Sequence, residues 1–150
     1  MKFLLISFCI LLFAAPAKSQ QAEDSIKAVV NQLFTAMRTS DKNKLLSCFG
    51  DSALLQTIAK NKEGNLLVKN ENIQQFASSI AGAPKGALDE RISFDMIRID
   101  GSLASAWTPY SFYYNGKFSH CGVNSLQLIR TSGGWKIQYL IDTRRKQYCL

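Results

Sequence analysis

Three turn signals in the second half of the chain constrain its fold more than any other feature. Asp100-Gly101 and Asn115-Gly116 are two-residue hairpin turns, and Thr131-Ser132-Gly133-Gly134 is a four-residue one. They divide residues 92–143 into four runs rich in Ile, Tyr, Phe and Val, with apolar and polar positions interleaved. That pattern predicts strands. Strands joined by such short turns run antiparallel, because a parallel pair needs a crossover of a dozen residues or more.

The first half carries the helices. From Asp24 onward, Ile26, Val29, Val30, Leu33, Phe34 and Met37 recur three and four apart, which is one face of a helix with Glu23 and Asp24 at its electropositive start. Ser40 or Asp41 caps a short second helix that carries Leu45, Leu46 and Phe49 and stops at Gly50. Residues 53–59 and 65–69 read as two strands turning at Asn61-Lys62-Glu63-Gly64. Asn70 caps a third helix whose Ile73, Phe76, Ala77 and Ile80 share a face, and residues 81–88 form a loop. The order α-α-β-β-α-β-β-β-β predicts an α+β domain with its helices on one side of an antiparallel sheet.

Residues 1–19 read as a secretory signal peptide. Lys2 precedes a thirteen-residue apolar run, and Ala17 and Ser19 supply the small residues before a cut at Gln20. The run is too short to span a bilayer, which takes ~20 apolar residues. A secreted or periplasmic protein is expected, with residues 20–150 as its one domain and no membrane anchor after cleavage. Cleavage removes two lysines and no acid, lowering the net charge from +7 to +5. The remaining basic residues form no stripe interleaved with aromatics, so nucleic acid is not an expected partner. A single histidine and the cysteine spacing leave no metal cluster and no CxxC redox motif, and no phosphate loop or dinucleotide fingerprint occurs. No cofactor is expected.

Cys48, Cys121 and Cys149 follow the leader. An odd count allows one internal bridge and a leftover thiol, or an intermolecular bond. Cys48 lies in an apolar helical stretch, and the last hairpin sets Cys121 across from Arg144. A short return of the tail then joins Cys121 to Cys149.

The turns also set a register, and register sets faces. Pairing Ile99 with Ser102 puts Phe94 opposite Trp107. Pairing Tyr114 with Lys117 puts Tyr113 opposite Phe118 and Ser111 opposite His120. Pairing Arg130 with Trp135 puts Leu126 opposite Tyr139. Alternation then gathers Phe94, Trp107, Tyr113, His120, Asn124 and Tyr139 on the helix-covered face. Gln56, on the first strand, joins them if it points inward. Asp95 and Asp142 fall on the outer face, leaving the interior without a carboxylate. Pro109, inside a strand, implies a bulge near it. Tyr110, Phe112, Tyr114, Val123, Ile129 and Leu140 form an apolar patch on the outer face, which predicts a homodimer through the sheet.

This order resembles the nuclear-transport-factor-2-like superfamily, and its small bacterial SnoaL-like or putative lumazine-binding members above all. The resembling stretches are Leu55-Gln56-Thr57, Trp107-Thr108-Pro109-Tyr110, residues 115–123 from Asn115-Gly116 to Gly122-Val123, and Gly134-Trp135-Lys136-Ile137 through Ile141-Asp142-Thr143-Arg144-Arg145. The resemblance implies a cone-shaped domain, three helices on a curved sheet, with an apolar cavity between them.

A binding module for an unidentified small molecule is the favoured function, with Gln56, Phe94, Trp107, Tyr113, His120, Asn124 and Tyr139 as candidate contacts. The alternative is a dehydratase, isomerase or cyclase using His120 as general acid and base. His120 as a hydrogen-bonded core residue, and the sheet as a docking surface, are the remaining readings.

Overall fold

The computed structural model describes residues 15–149, with side chains from residue 20; the expected leader lies outside the described residues up to residue 14. Helix α1 (Ala15–Thr39) lays Ile26, Val30, Leu33, Phe34 and Met37 against the sheet. It ends where Ser40 takes a left-handed φ of 57° and donates its hydroxyl to the Ala83 carbonyl at 2.8 Å. Asp41 then caps α2 (Lys42–Leu46), accepting from the Lys44 amide. Phe49 and Gly50 already belong to strand β1 (Phe49–Lys60), so α2 is shorter than its apolar positions suggest. Strand β2 (Leu66–Glu71) runs past Asn70, and Asn72 is the residue that caps α3 (Ile73–Gly82).

Five strands follow: β3 (Leu88–Ile92), β4 (Met96–Asp100), β5 (Leu103–Tyr114), β6 (Lys117–Thr131) and β7 (Gly134–Thr143). They join β1 and β2 in one seven-stranded sheet of order β2-β1-β7-β6-β5-β3, with β4 also on β5. All pairs are antiparallel except β1 with β7. The helices cover one face of this curved sheet, and the core lies between them, around Ile26, Leu33, Leu45, Leu126, Leu128 and Ile137.

The single strand expected over residues 92–99 is two. Ile92 pairs with Tyr110 and Met96 with Trp107, so three residues, 93–95, span what two, 108–109, span on β5. The Pro109 carbonyl accepts from the Ser93 amide, so the proline's missing N–H faces this same interruption. β5 itself runs straight through Pro109, which pairs with Val123. The bulge announced by the proline is carried by its neighbour.

Two further bulges carry the larger consequence. Tyr113 pairs with Phe118 but Phe112 with His120, leaving Ser119 as an extra residue in β6. Leu128 pairs with Ile137 but Gln127 with Tyr139, leaving Gln138 extra in β7. The first hairpin turn is also displaced: Asp100 pairs with Leu103, not Ile99 with Ser102. Faces expected from uninterrupted alternation are therefore exchanged over much of the sheet. Ala104, Ala106, Thr108, Tyr110 and Phe112 of β5 point to the helices, and Trp107 points away, 42% exposed. On β7, Leu140 and Asp142 point inward, and Tyr139 and Ile141 outward. The outer patch loses Tyr110, Phe112, Tyr114 and Leu140, all of which turn inward and line the space under the helices. The exposed apolar side chains of the outer face instead include Leu54, Met96, Leu103 and Trp107, with Leu66 and Val68 on β2 and Phe118 on β6.

Cys121 sits across from Arg145, one residue beyond the expected Arg144 because of Gln138, and is joined to Cys149 with a Cα–Cα distance of 5.7 Å. Cys48 is buried and unbridged. Next to Cys121, Gly122 is the point of closest strand approach: a Cβ there would overlap the Thr143 carbonyl and meet the Tyr110 ring. Gly122→Ala is expected to cost roughly 3 kcal/mol, at the upper end of overpacking effects, because backbone must move to admit one methyl. Urea denaturation of the two proteins checks this; a cost under about 1 kcal/mol would contradict the tight approach.

Candidate functional site

Between the helices and the sheet lies a cavity of about 400 Å³. Its apolar wall comes from Leu33, Phe34 and Met37 of α1, Phe76 and Ile80 of α3, and Leu55 and Leu140 of the sheet. Apart from Ser79 at the exposed edge of α3, the polar groups come from the strands: Thr57, Glu71, Glu90, Tyr110, His120, Asn124, Asp142, and Arg144 just past β7. An apolar cavity with a small set of convergent polar groups is the usual form of a small-molecule site.

Asp142 is the best-held of these groups. It is buried and accepts from three side chains: Thr57 Oγ1 at 2.5 Å on Oδ1, and on Oδ2 Arg144 Nε at 3.0 Å and the Tyr110 hydroxyl at 3.1 Å. Arg144 Nη2 also donates to Thr57 Oγ1 at 3.0 Å, closing a ring of contacts around one charge pair. The Tyr110 hydroxyl lies 2.9 Å from the Thr143 carbonyl as well. Burial, and then the Asp142 carboxylate beside it, push the Tyr110 phenol well above its ordinary value, so it stays a donor.

Glu90 has a different environment. It projects from β3 on the same side as Leu88, and its one hydrogen bond is from Asn124 Nδ2 to Oε1 at 2.9 Å. Burial pushes its carboxyl up to about 7; the Asn124 bond works against that, and the Asp142 charge adds to it. His120 stands edge-on to the Tyr110 ring at 5.8 Å and tilted against Phe112 at 4.9 Å. Its Nδ1 lies 3.1 Å from the Ser119 hydroxyl. Burial and then the Arg144 charge lower its pKa below the ordinary imidazole value, favouring the neutral ring. Glu90 is thus a group able to exchange a proton near neutrality in this cavity. Among the described residues, no cluster of three or more His, Cys, Asp or Glu could hold a metal.

Of the contacts expected from the sequence, His120 and Asn124 line the cavity. Gln56 and Tyr139 meet each other on the outer face, the Tyr139 hydroxyl donating to Gln56 Oε1 at 2.6 Å. Trp107 is on that face too, and Tyr113 lies under the Arg91 guanidinium at 4.2 Å, with its ring edge-on to Phe118. Phe94 packs on the core beside the β3–β4 break, outside the cavity lining. The placements that failed in the second half of the sheet share one cause, the displaced registers of β4, β6 and β7, while Gln56 of β1 faces outward beside the inward Leu55 and Thr57. The expectation of an interior free of carboxylates fails too: Asp142 turns inward with the β7 register, and Glu71 of β2 and Glu90 of β3 line the cavity as well. Glu90 had a readable signal: Leu88, Glu90 and Ile92 alternate with Asp89 and Arg91, a strand pattern that bridges the stretch read as loop up to residue 88 and the strand read from Ile92.

Solved structures match this arrangement across most of the chain. An NTF2-like protein with a cystatin-like fold from Novosphingobium aromaticivorans is 13% identical, with a TM-score of 0.70, covering 89% of this chain and 88% of that one. An NTF2-like protein of unknown function from Shewanella baltica is 15% identical at a TM-score of 0.66, covering 85% of this chain and 97% of its own. The fold is NTF2-like. A cystatin-like domain of unknown function from Nostoc punctiforme is 19% identical at a TM-score of 0.66, covering 85% and 80%. No family model matches the sequence, and no curated protein is similar to it. What the NTF2-like fold contributes is the architecture around the cavity; the chemistry has to be argued from the side chains.

The raised Glu90 carboxyl has a stability consequence. The folded protein holds this proton more tightly than the unfolded chain, whose carboxyl has the ordinary value of 4.5. Stability from this group is complete below about 4.5 and is lost as pH rises towards about 7. Glu90→Gln keeps an acceptor for Asn124 and removes the charge. It should flatten that limb and leave the variant about 1–3 kcal/mol more stable at pH 8, with little change at pH 4.5. Denaturant titrations at the two pH values check this, and equal pH profiles would place Glu90 in water.

Proposed function

We propose that this chain is an exported binding domain that holds a small, mainly apolar molecule in the cavity between its helices and its sheet. The observation that carries the reading is the segregation of the lining. Leu33, Phe34, Met37, Phe76 and Ile80 make an apolar helical wall, and the polar groups gather on the strand side at Glu90, Asn124 and the Asp142–Arg144 pair. The body of a ligand packs on the first and its polar end is oriented by the second. Export is supported by the leader and by the Cys121–Cys149 bridge, a bond that persists in oxidising compartments.

The test uses protein recovered from the periplasm or medium, whose N-terminus should read Gln20. N-phenyl-1-naphthylamine, an uncharged apolar fluorophore, should bind at one site with enhanced emission. Ser79, an exposed lining residue of α3, offers a way to close the cavity without disturbing the core. Ser79→Trp should weaken the probe at least tenfold with thermal stability retained. Equal binding by both proteins would locate the probe elsewhere and overturn the reading.

A second copy of the chain is the partner we propose for the outer face of the sheet. Antiparallel sheets open to water are mostly polar on that side. Here Met96 and Trp107 are adjacent across β4 and β5, and Leu54 and Leu103 are likewise exposed. Two-fold pairing of one such patch on itself is the commonest way to cover it. Sedimentation at micromolar concentration should give twice the protomer mass, and Trp107→Lys should return it to one without unfolding. A wild-type monomer would defeat the dimer.

A further inference from the structure

We infer that the cavity selects a cationic ligand, a protonated amine carried on an apolar or aromatic body. The inference rests on the cavity-binding reading above and adds the charge of the ligand to it.

The chain as a whole is basic, with a net charge of +7. The lining of its cavity has the opposite balance: Glu71, Glu90 and Asp142 stand against Arg144 alone. That one cation is already committed, with Nε on Asp142 and Nη2 on Thr57. Both oxygens of Asp142 are committed too, to Thr57, Tyr110 and Arg144. The pair is closed on itself and leaves little for a ligand. Glu90 remains with a single amide contact and, among the described residues, no cation within ion-pair distance. Glu71 has no ion-pair partner among them either.

Three ligand charges meet this cavity differently. An anion would lie near two unpaired carboxylates, with the one arginine already engaged. A neutral ligand would leave Glu90 either protonated or charged and unpaired, and a buried unpaired charge is costly. An ammonium group supplies the missing partner and lets Glu90 ionise. The walls favour the same charge: Phe34, Phe49, Phe76, Tyr110, Phe112 and Tyr114 all contribute to the lining. Their ring faces attract a desolvated cation more than they do a neutral group. The volume of about 400 Å³ admits a bicyclic aromatic amine with room to orient.

Three probes of nearly one shape separate these cases: 1-naphthylmethylamine, 1-naphthylmethanol and 1-naphthoate. Titrated calorimetrically at pH 8, the amine should bind at least tenfold more tightly than the alcohol, and the naphthoate least of all. The titratable and charged groups that face the cavity with Glu90 are Glu71 from β2, Tyr110 and Tyr114 from β5, His120 from β6, and Asp142 and Arg144 at the end of β7. Glu90 is the one held to about 7, so below that pH the amine must displace a proton. Its affinity should therefore fall about tenfold per pH unit from 7 down to 5, while that of the alcohol stays nearly level. Glu90→Gln should bring the amine down to the level of the alcohol and remove the pH dependence. Tighter binding of the alcohol or the naphthoate at pH 8, or an unchanged amine preference in Glu90→Gln, would overturn the cationic assignment while leaving the cavity reading in place. Binding of none of the three, together with equal N-phenyl-1-naphthylamine binding by the wild type and Ser79→Trp, would overturn both.

Discussion

Successive side chains of a strand point to opposite faces, so a single additional residue exchanges the faces of everything beyond it. Two such residues, Ser119 in β6 and Gln138 in β7, decide what this cavity is made of. Were Gln138 paired as an ordinary strand residue, Leu140 and Asp142 would face away from the helices and Tyr139 and Ile141 would face them. The interior would lose its held carboxylate, and with it the bonds from Thr57, Tyr110 and Arg144. Were Ser119 likewise paired, it would take the place of His120 opposite Phe112. The polar end of the cavity is thus a product of two local irregularities, and the regular strands on either side of them supply the apolar remainder.

The held pair and the free carboxylate divide the work of the site. Asp142 and Arg144 satisfy one another across the mouth of the sheet and tie β1, β5 and β7 together through Thr57 and Tyr110. Such a pair contributes geometry more than net stability, because both charges lose water when they meet. Glu90 carries the opposite arrangement, a group whose burial is incompletely offset. A folded protein keeps a group of that kind at a cost, and sites of recognition or chemistry are where such costs concentrate.

How much of this was legible follows from the same distinction. Turn residues announce themselves, so the pairs nearest the turns, Tyr114 with Lys117 and Arg130 with Trp135, follow from the sequence directly. The faces of Ile26, Leu33 and Ile80 follow from helical spacing in the same way. Ser119 and Gln138 announce nothing: neither is a glycine or a proline, and each sits among ordinary strand residues. Every placement beyond them therefore carried an error of one residue, which is enough to exchange Asp142 for Ile141. Pro109 shows the converse. Its signal of irregularity was sound, but the missing N–H is a property of a pair of strands, and the partner between Ile92 and Met96 was the one to yield.

That broken partner lies at the rim of the sheet. A continuous outermost strand offers an unbroken row of backbone donors and acceptors to any extended chain that drifts past, and so seeds runaway association. Here the row is two five-residue pieces separated by a kink, and the kink lies against the proline. At the other rim β2 is only six residues long. A stray strand adding to either side would find too few consecutive partners to grow a ladder. The protein can thus keep a broad, partly apolar sheet in water and admit company on its face, while neither margin serves as a template for fibres.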